Sequence, residues 1–249
     1  MAHEVYVNFV EILKCKKKRI SGKIQDMVQV CAHRGVSSDH RENTFEAFHA
    51  AILQEADSIE LDVWLTKDNH LVIHHDKNCE GIDIEESNLE ILPDFIPTLN
   101  DVLNDPTMIP LNIELKVSHV TDIERLAERV ISEVNENITC TSPLISSFNL
   151  EILQNLRGHS QNIKLGYLSA QEDWEKFMLF EAITENNFQA VHPHYSLVSE
   201  EFMSASRENN LEVNVWTVNE QQLVANLINL GINSIITDEV QMVKTFISG

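Results

Sequence analysis

The chain is predicted to fold as a single α/β domain, a (β/α)8 TIM barrel with a short, reduced insertion after the second strand region. Three observations predict this. Apolar, strand-length segments alternate with helix-length amphipathic ones along most of the 249 residues, the pattern of βαβ units around a parallel sheet. Strand segments centred near residues 30, 60, 72, 112, 145, 165, 190, 214 and 235 reduce to eight barrel strands if the pair at 60 and 72 is one barrel strand plus an adjoining strand; eight repeats in about 220 residues is the size of this barrel. Finally, the unusual polar residues fall at the ends of these strands, where this fold keeps its chemistry. The expected division is an N-terminal helical extension over 1–27 and the barrel over 28–249.

Taken in order, residues 4–24 read as a helix with apolar positions at Val5, Phe9, Ile12 and Leu13, followed by a basic run. Residues 27–35 are a short apolar strand that stops at Gly35, and 42–56 a helix with Asn43 or Thr44 near its cap. The central pair of strands follows, joined by a turn at Asn69. Residues 77–97 read as irregular and polar, and 96–103 as a turn and a short helix. Residues 110–117 are a strand and 119–135 a helix. Strands at 143–148, 163–168, 188–195, 211–218 and 233–238 then alternate with helices at 149–157, 172–184, 199–209, 219–229 and 240–247.

Hydrophobic residues make up 43% of the chain, enough for a large core, and no run of about 18 apolar residues exists to cross a membrane. The formal charge is −21, unevenly spread. Residues 1–24 hold six basic groups (Lys14, Lys16, Lys17, Lys18, Arg19 and Lys23) against Glu4 and Glu11, so everything after them is more acidic than the total. Such a body argues against broad phosphate-backbone binding and excludes nucleic acid as an expected partner; any phosphate ligand is small and held by a few local cations. The basic helix at 4–24 allows peripheral membrane contact, but packing on the domain is the favoured reading. Cys15, Cys31, Cys79 and Cys140 show no CxxC pairing; buried thiols in a reducing compartment, the cytoplasm, are expected, and the N-terminus lacks the apolar core of a secretory signal.

The chemistry concentrates in residues 59–76, IELDVWLTKDNHLVIHHD. In a strand, i and i+2 share a face, so Glu60 and Asp62 project together and repel unless a cation or proton lies between them. In 112–116 the same parity groups Asn112, Glu114 and Lys116. Glu60, Asp62 and Glu114 then form a three-carboxylate set suited to a hard divalent cation, Mg²⁺ or Ca²⁺, rather than zinc. Arg34 and Lys116 supply local positive charge for a phosphate. His33 and His75, on different strands, can serve as general base and general acid, with His75 as the expected acid. His74 has the opposite parity and is expected to pack or to support. His192 and His194 either contact substrate or fill the barrel rim; Ser146 and Ser147 are expected to make rim hydrogen bonds, and Trp64 and Trp174 to pack.

In order and spacing, HRG (33–35), ENTFEAF (42–48), IELDVWLTKD (59–68), HHD (74–76), NIELK (112–116), SSF (146–148), VNVWTVN (213–219) and IITD (235–238) resemble the glycerophosphodiester phosphodiesterase family, bacterial-type members of the PLC-like phosphodiesterase superfamily. The match runs from about residue 29 to 240. The resemblance implies a (β/α)8 barrel that hydrolyses glycerophosphodiesters to sn-glycerol 3-phosphate and an alcohol with a divalent metal. It implies His33 and His75 as catalytic residues, Glu60, Asp62 and Glu114 as metal ligands, Arg34 and Lys116 as phosphate contacts, and Trp216 as the aromatic against the glycerol end. It also suggests attack by the glycerol 2-hydroxyl through a cyclic phosphate, with direct attack by water as the other route. The chain departs from the family pattern at 77–95, which is short, acidic and without arginine, and after Asp238, where Glu239 and Val240 stand in place of a nearby proline. Two rivals remain: a related barrel phosphodiesterase acting on lysophospholipids, and a non-catalytic barrel that binds glycerophosphodiesters.

Overall fold

The computed structural model describes residues 28–137, 142–170 and 176–248. The helix expected over 4–24, with Cys15, Cys140 and Trp174, lies outside the described residues. Among the described residues the elements run β1 (Gln29–His33), α1 (Phe45–Leu53), β2 (Ser58–Leu65), β3 (Leu71–Ile73), β4 (Asn78–Cys79), β5 (Ile82–Asp83), α2 (Leu99–Leu103), β6 (Leu111–Leu115), α3 (Ile123–Glu136), β7 (Leu144–Ser147), α4 (Leu150–His159), β8 (Lys164–Ser169), α5 (Lys176–Glu185), β9 (Ala190–Pro193), α6 (Glu200–Glu208), β10 (Glu212–Val215), α7 (Gln221–Leu230), β11 (Ser234–Thr237) and α8 (Val240–Ser248).

β1, β2, β6, β7, β8, β9, β10 and β11 pair in parallel around a closed ring, because β1 is bonded to both β11 and β2. The fold is the expected eight-stranded barrel. β3 is the adjoining strand, antiparallel to β2 with Val63 opposite Ile73. Several helices begin at a cap that the preceding strand delivers: Thr44, Asp122, Asn149 and Ser199 each accept from the backbone amide three residues on, satisfying one of the free N–H groups of a first turn.

The barrel strands alternate rather than being apolar throughout. Ile59, Leu61 and Val63 of β2, Ile113 of β6, Val191 of β9 and Ile235 of β11 belong to the main core with Phe48, Leu126 and Phe202 from the helices; each such side chain contributes about 1.5–3 kcal/mol when fully buried. Glu60, Asp62, Asn112, Glu114, His192 and Asn214 have the other parity, are buried, and line the inside of the ring.

The segment 77–97 differs from the irregular, polar reading. It forms the two-stranded antiparallel β4–β5 ladder and a satellite core in which Trp64, Val72, Cys79, Ile84, Leu92 and Ile96 pack together. Its apolar residues follow neither helix nor strand period, which is why periodicity does not reveal them. Trp64 packs, as expected, and its Nε1 donates to the His75 carbonyl at 3.1 Å. That contact ties the satellite core to the strand end carrying His75.

Candidate active site

The site begins with a left-handed turn. β1 ends at His33, and Arg34 (φ 57°) and Gly35 (φ 83°) reverse the chain. A β-carbon on Gly35 would lie 2.6 Å from the Ala47 carbonyl carbon of α1, so only glycine lets the helix approach this turn. The turn leaves the Arg34 amide donating to the Glu60 carbonyl (3.0 Å) and to Glu60 Oε2 (3.1 Å). Asn43, also left-handed (φ 58°), clamps Asp62: its Nδ2 donates to Oδ2 at 2.8 Å and its Oδ1 accepts from the Asp62 amide at 3.3 Å.

Register aligns the carboxylates. β2 and β6 pair in parallel with Glu60 opposite Asn112 and Asp62 opposite Glu114. Glu60, Asp62 and Glu114 are buried and each offers an oxygen within 4.8 Å of the others. Lys116, just past β6, places Nζ 2.8 Å from Asp62 Oδ1 and 2.5 Å from Glu114 Oε1. Arg34 Nε lies 3.1 Å from Asp62 Oδ2, and its Nη1 donates to Glu42 at 3.0 Å. Burial pushes the Asp62 acid up, but Lys116, Arg34 and Asn43 outweigh it and hold the group below the usual carboxylate range. For Glu60, burial and the charges of Asp62 and Glu114 win, and its acid is raised well above the usual value. Glu114 is raised as well, chiefly by burial. Among the described residues, Glu60 Oε1 and Asn112 Oδ1 are buried and meet no hydrogen-bond partner. A crowded, oxygen-only donor set with an orphaned carboxylate oxygen fits a hard divalent cation.

Both histidines carry a carboxylate behind the ring. His33 Nδ1 lies 2.7 Å from Asp238 Oδ1, and Asp238 is itself held by Asn219 Nδ2 (2.6 Å) and the Ser37 hydroxyl (3.2 Å). Burial tends to raise the Asp238 acid, yet the contacts with His33, Asn219 and Ser37 lower it overall. His75 Nδ1 lies 2.9 Å from Asp76 Oδ1. Burial lowers the His75 pKa, Lys116 and Arg34 lower it further, and Asp62 and Asp76 oppose them without prevailing. His33, Arg34, Glu60, His75, Glu114, Lys116 and Trp216 line one cavity at the C-terminal ends of the strands; Asp62 is outside the lining and is tied to it through Arg34 and Lys116.

Trp216 Nε1 donates to the His192 carbonyl at 2.7 Å, and its ring meets Phe148 edge-on at 5.5 Å. His194 is on the rim, packed between Trp216 (5.2 Å) and Tyr195 (4.1 Å). His192 is fully buried inside the barrel, away from this cavity. Ser147 donates to the Leu115 carbonyl at 2.7 Å, whereas the Ser146 hydroxyl meets no partner among the described residues. His74 Nδ1 meets the Asp76 carbonyl at 2.8 Å and stays outside the cavity. Asp238, Asn219, Asn43, Glu42 and Asp76 lie outside the strands, where i, i+2 parity has no force. Their signal was adjacency to the strand-end motifs.

The chain is similar to known proteins over most of its length. The glycerophosphoryl diester phosphodiesterase family matches residues 33–83 and 80–242. A glycerophosphodiester phosphodiesterase of Caldanaerobacter subterraneus subsp. tengcongensis is 31% identical over 236 residues, covering 84% of this chain and 93% of that protein. Human lysophospholipase D is 23% identical over 270 residues, covering 87% of this chain and 85% of that protein. Among solved structures, a glycerophosphodiester phosphodiesterase of Thermotoga maritima superposes with a TM-score of 0.75 at 27% identity, over 89% of this chain and 99% of its own. An Oleispira antarctica phosphodiesterase in complex with the product sn-glycerol 3-phosphate has the same fold, with a TM-score of 0.82 at 24% identity over 90% and 98% of the two chains. On these grounds the chain belongs to the glycerophosphoryl diester phosphodiesterase family.

Proposed function

We propose that the protein hydrolyses glycerophosphodiesters to sn-glycerol 3-phosphate and an alcohol, using Mg²⁺ or Ca²⁺ held by Glu60, Asp62 and Glu114. The observation that carries this reading is the convergence on one cavity of two carboxylate-backed imidazoles, two cationic side chains and the buried acidic triad. When bound, the metal supplies neutralisation of the non-bridging phosphate oxygens. Arg34 and Lys116 bind and orient the same phosphate, in a site where burial strengthens each interaction. Asp238 holds the His33 tautomer with its proton on Nδ1, which leaves Nε2 to take the proton of the attacking oxygen, the glycerol 2-hydroxyl or water. His75, oriented by Asp76, donates its proton to the departing alkoxide; a lowered pKa makes its imidazolium a readier donor. Trp216 and Phe148 cover the glycerol end and exclude water. Cys31 and Cys79 are buried and unpaired, which supports a cytoplasmic location, and among the described residues no helix is long and apolar enough to cross a membrane.

The direct test measures sn-glycerol 3-phosphate release from glycerophosphocholine, glycerophosphoethanolamine and glycerophosphoinositol with Mg²⁺, with Ca²⁺ and with chelator. Near-full metal-dependent turnover by both His33→Ala and His75→Ala would refute the mechanism. A second reading, lysophospholipid cleavage, draws support from Phe148 and Tyr195, which are 39% and 38% exposed beside Trp216 and could meet an acyl chain. Faster turnover of lysophosphatidylcholine than of glycerophosphocholine would favour it.

A further inference from the structure

His75 stands where the strand ladder has ended. β3 closes at Ile73, whose register partner is Val63, and the His74 amide still donates to the Asp62 carbonyl at 3.0 Å. At His75 a side chain takes over from the ladder: the Trp64 indole Nε1 donates to the His75 carbonyl at 3.1 Å. The imidazole itself reaches Asp76, whose side chain is 75% exposed. A carboxylate on the next residue moves with the same loop, so it orients the ring without fixing where the ring stands. The indole supplies the fixed point.

Trp64 is set in turn by its strand and its packing. It has the parity of Glu60 and Asp62 on β2, so one strand carries two carboxylates of the acidic triad and, one step further, the indole. The side chain is buried among Val72, Cys79, Ile84, Leu92 and Ile96, most of them from the short segment that departs from the family pattern. That segment holds the same loop at a second point. Lys77, two residues past His75, pairs with Asp83 (3.0 Å) and Glu85 (3.5 Å), and Glu85 accepts from the Ser118 and Thr121 hydroxyls just past Lys116.

We propose that Trp64 is a positioning residue for the reaction: through the His75 carbonyl it sets the reach of the imidazole to the oxygen of the departing alcohol. The inference rests on the reading of His75 as the general acid. When the P–O bond to the alcohol breaks, the alkoxide takes its proton from His75. That transfer needs hydrogen-bond reach, and a misplacement of about 1 Å can cost about 10²-fold. Without the indole N–H the His75 peptide is free to turn, and ring and Asp76 swing together. Arg34, Lys116, Asp62 and Glu114 are held by contacts with one another, so the loss falls on protonation of the leaving group and spares the hold on the phosphate.

The test compares two leaving groups on the full chain with Mg²⁺ or Ca²⁺ supplied. Glycerophosphocholine releases an alkoxide that needs a proton; the p-nitrophenyl ester of glycerol 3-phosphate releases a phenolate that does not. The quantity read is kcat/KM for release of each, which reports the steps through departure of the leaving group. Trp64→Phe should lower it about 10- to 100-fold for glycerophosphocholine and less than about threefold for the p-nitrophenyl ester. A loss of folded protein lowers both alike and cancels in the ratio. Benzothienylalanine in place of Trp64 keeps the bicyclic shape, puts sulfur where the N–H was, and should give the same selective loss even where the phenylalanine variant fails to fold. His75→Ala is the reference. An equal loss on both substrates in His75→Ala would overturn the acid reading and the inference with it. A selective loss in His75→Ala, with no selective loss in either Trp64 variant, would overturn the inference alone.

Discussion

His33 and Asp238 stand 205 residues apart, yet Nδ1 of one lies 2.7 Å from Oδ1 of the other. The contact is a product of barrel closure. β1 and β11 pair with Ala32 opposite Thr237, so the next residue on each strand meets its counterpart over the barrel mouth. Asn219 and Ser37 then fix the carboxylate from two further loops. Asp238→Asn keeps the shape but lets an amide donate to Nδ1, which favours the wrong tautomer. The expected result is a fall in kcat of about 10²-fold or more with KM little changed. Steady-state kinetics on glycerophosphocholine measures this, and a variant with near-wild-type kcat would remove Asp238 from the mechanism.

The pH profile follows from His75. Its pKa is lowered by burial first, then by Lys116 and Arg34. A group that must donate a proton is active only while it carries one, so the alkaline limb of kcat/KM should fall below the ordinary histidine value of about 6.5. Asp76→Asn removes an interaction that favours the charged ring, and should move that limb to still lower pH. An alkaline limb well above neutrality, unmoved by Asp76→Asn, would mean that His75 is not the acid.

Much of this was legible in the sequence. Strand–helix alternation gave the closed barrel, and i, i+2 parity brought Glu60, Asp62, Glu114 and Lys116 to one place. Two kinds of feature stayed hidden. Asn43 and Asp238 act from turns whose course depends on packing, such as the approach of α1 to Gly35. His192 and the satellite core around Trp64 depend on contacts between segments without shared periodicity, and single-strand patterns carry no information about those contacts.

Glu60 makes a prediction about stability. Its acid is raised by burial and by Asp62 and Glu114, so its contribution is favourable at low pH and is lost as pH rises through the folded value. In metal-free protein at neutral pH, Glu60→Gln should therefore be as stable as wild type or more so, by about 1–3 kcal/mol. With Mg²⁺ or Ca²⁺ the order should reverse. A ligand at a hundredfold its Kd adds about 2.7 kcal/mol to the protein that binds it, and Glu60→Gln lacks one oxygen donor of the set. Thermal melts with cation and with EDTA measure both effects; an equal cation-induced shift in the two proteins would take Glu60 out of the metal site.

His192 should weaken the fold in acid. Burial pushes its folded pKa from 6.5 to about 3. Below pH 6.5 the unfolded chain binds a proton that the folded chain refuses, so stability drains as pH falls, by up to about 1.4 kcal/mol per unit and on the order of 5 kcal/mol in all. His192→Gln keeps a neutral hydrogen-bonding side chain beside Asn214 and removes the titration. Denaturant unfolding from pH 7 to pH 4 should show a shallower loss in the variant, with the difference approaching one proton in the middle of that range. Carboxylates such as Asp62 and Asp238, lowered in the folded state, act in the same direction at lower pH, but they are common to both proteins and cancel in the comparison. Parallel stability curves for the two would show that the imidazole is hydrated rather than sealed inside the barrel.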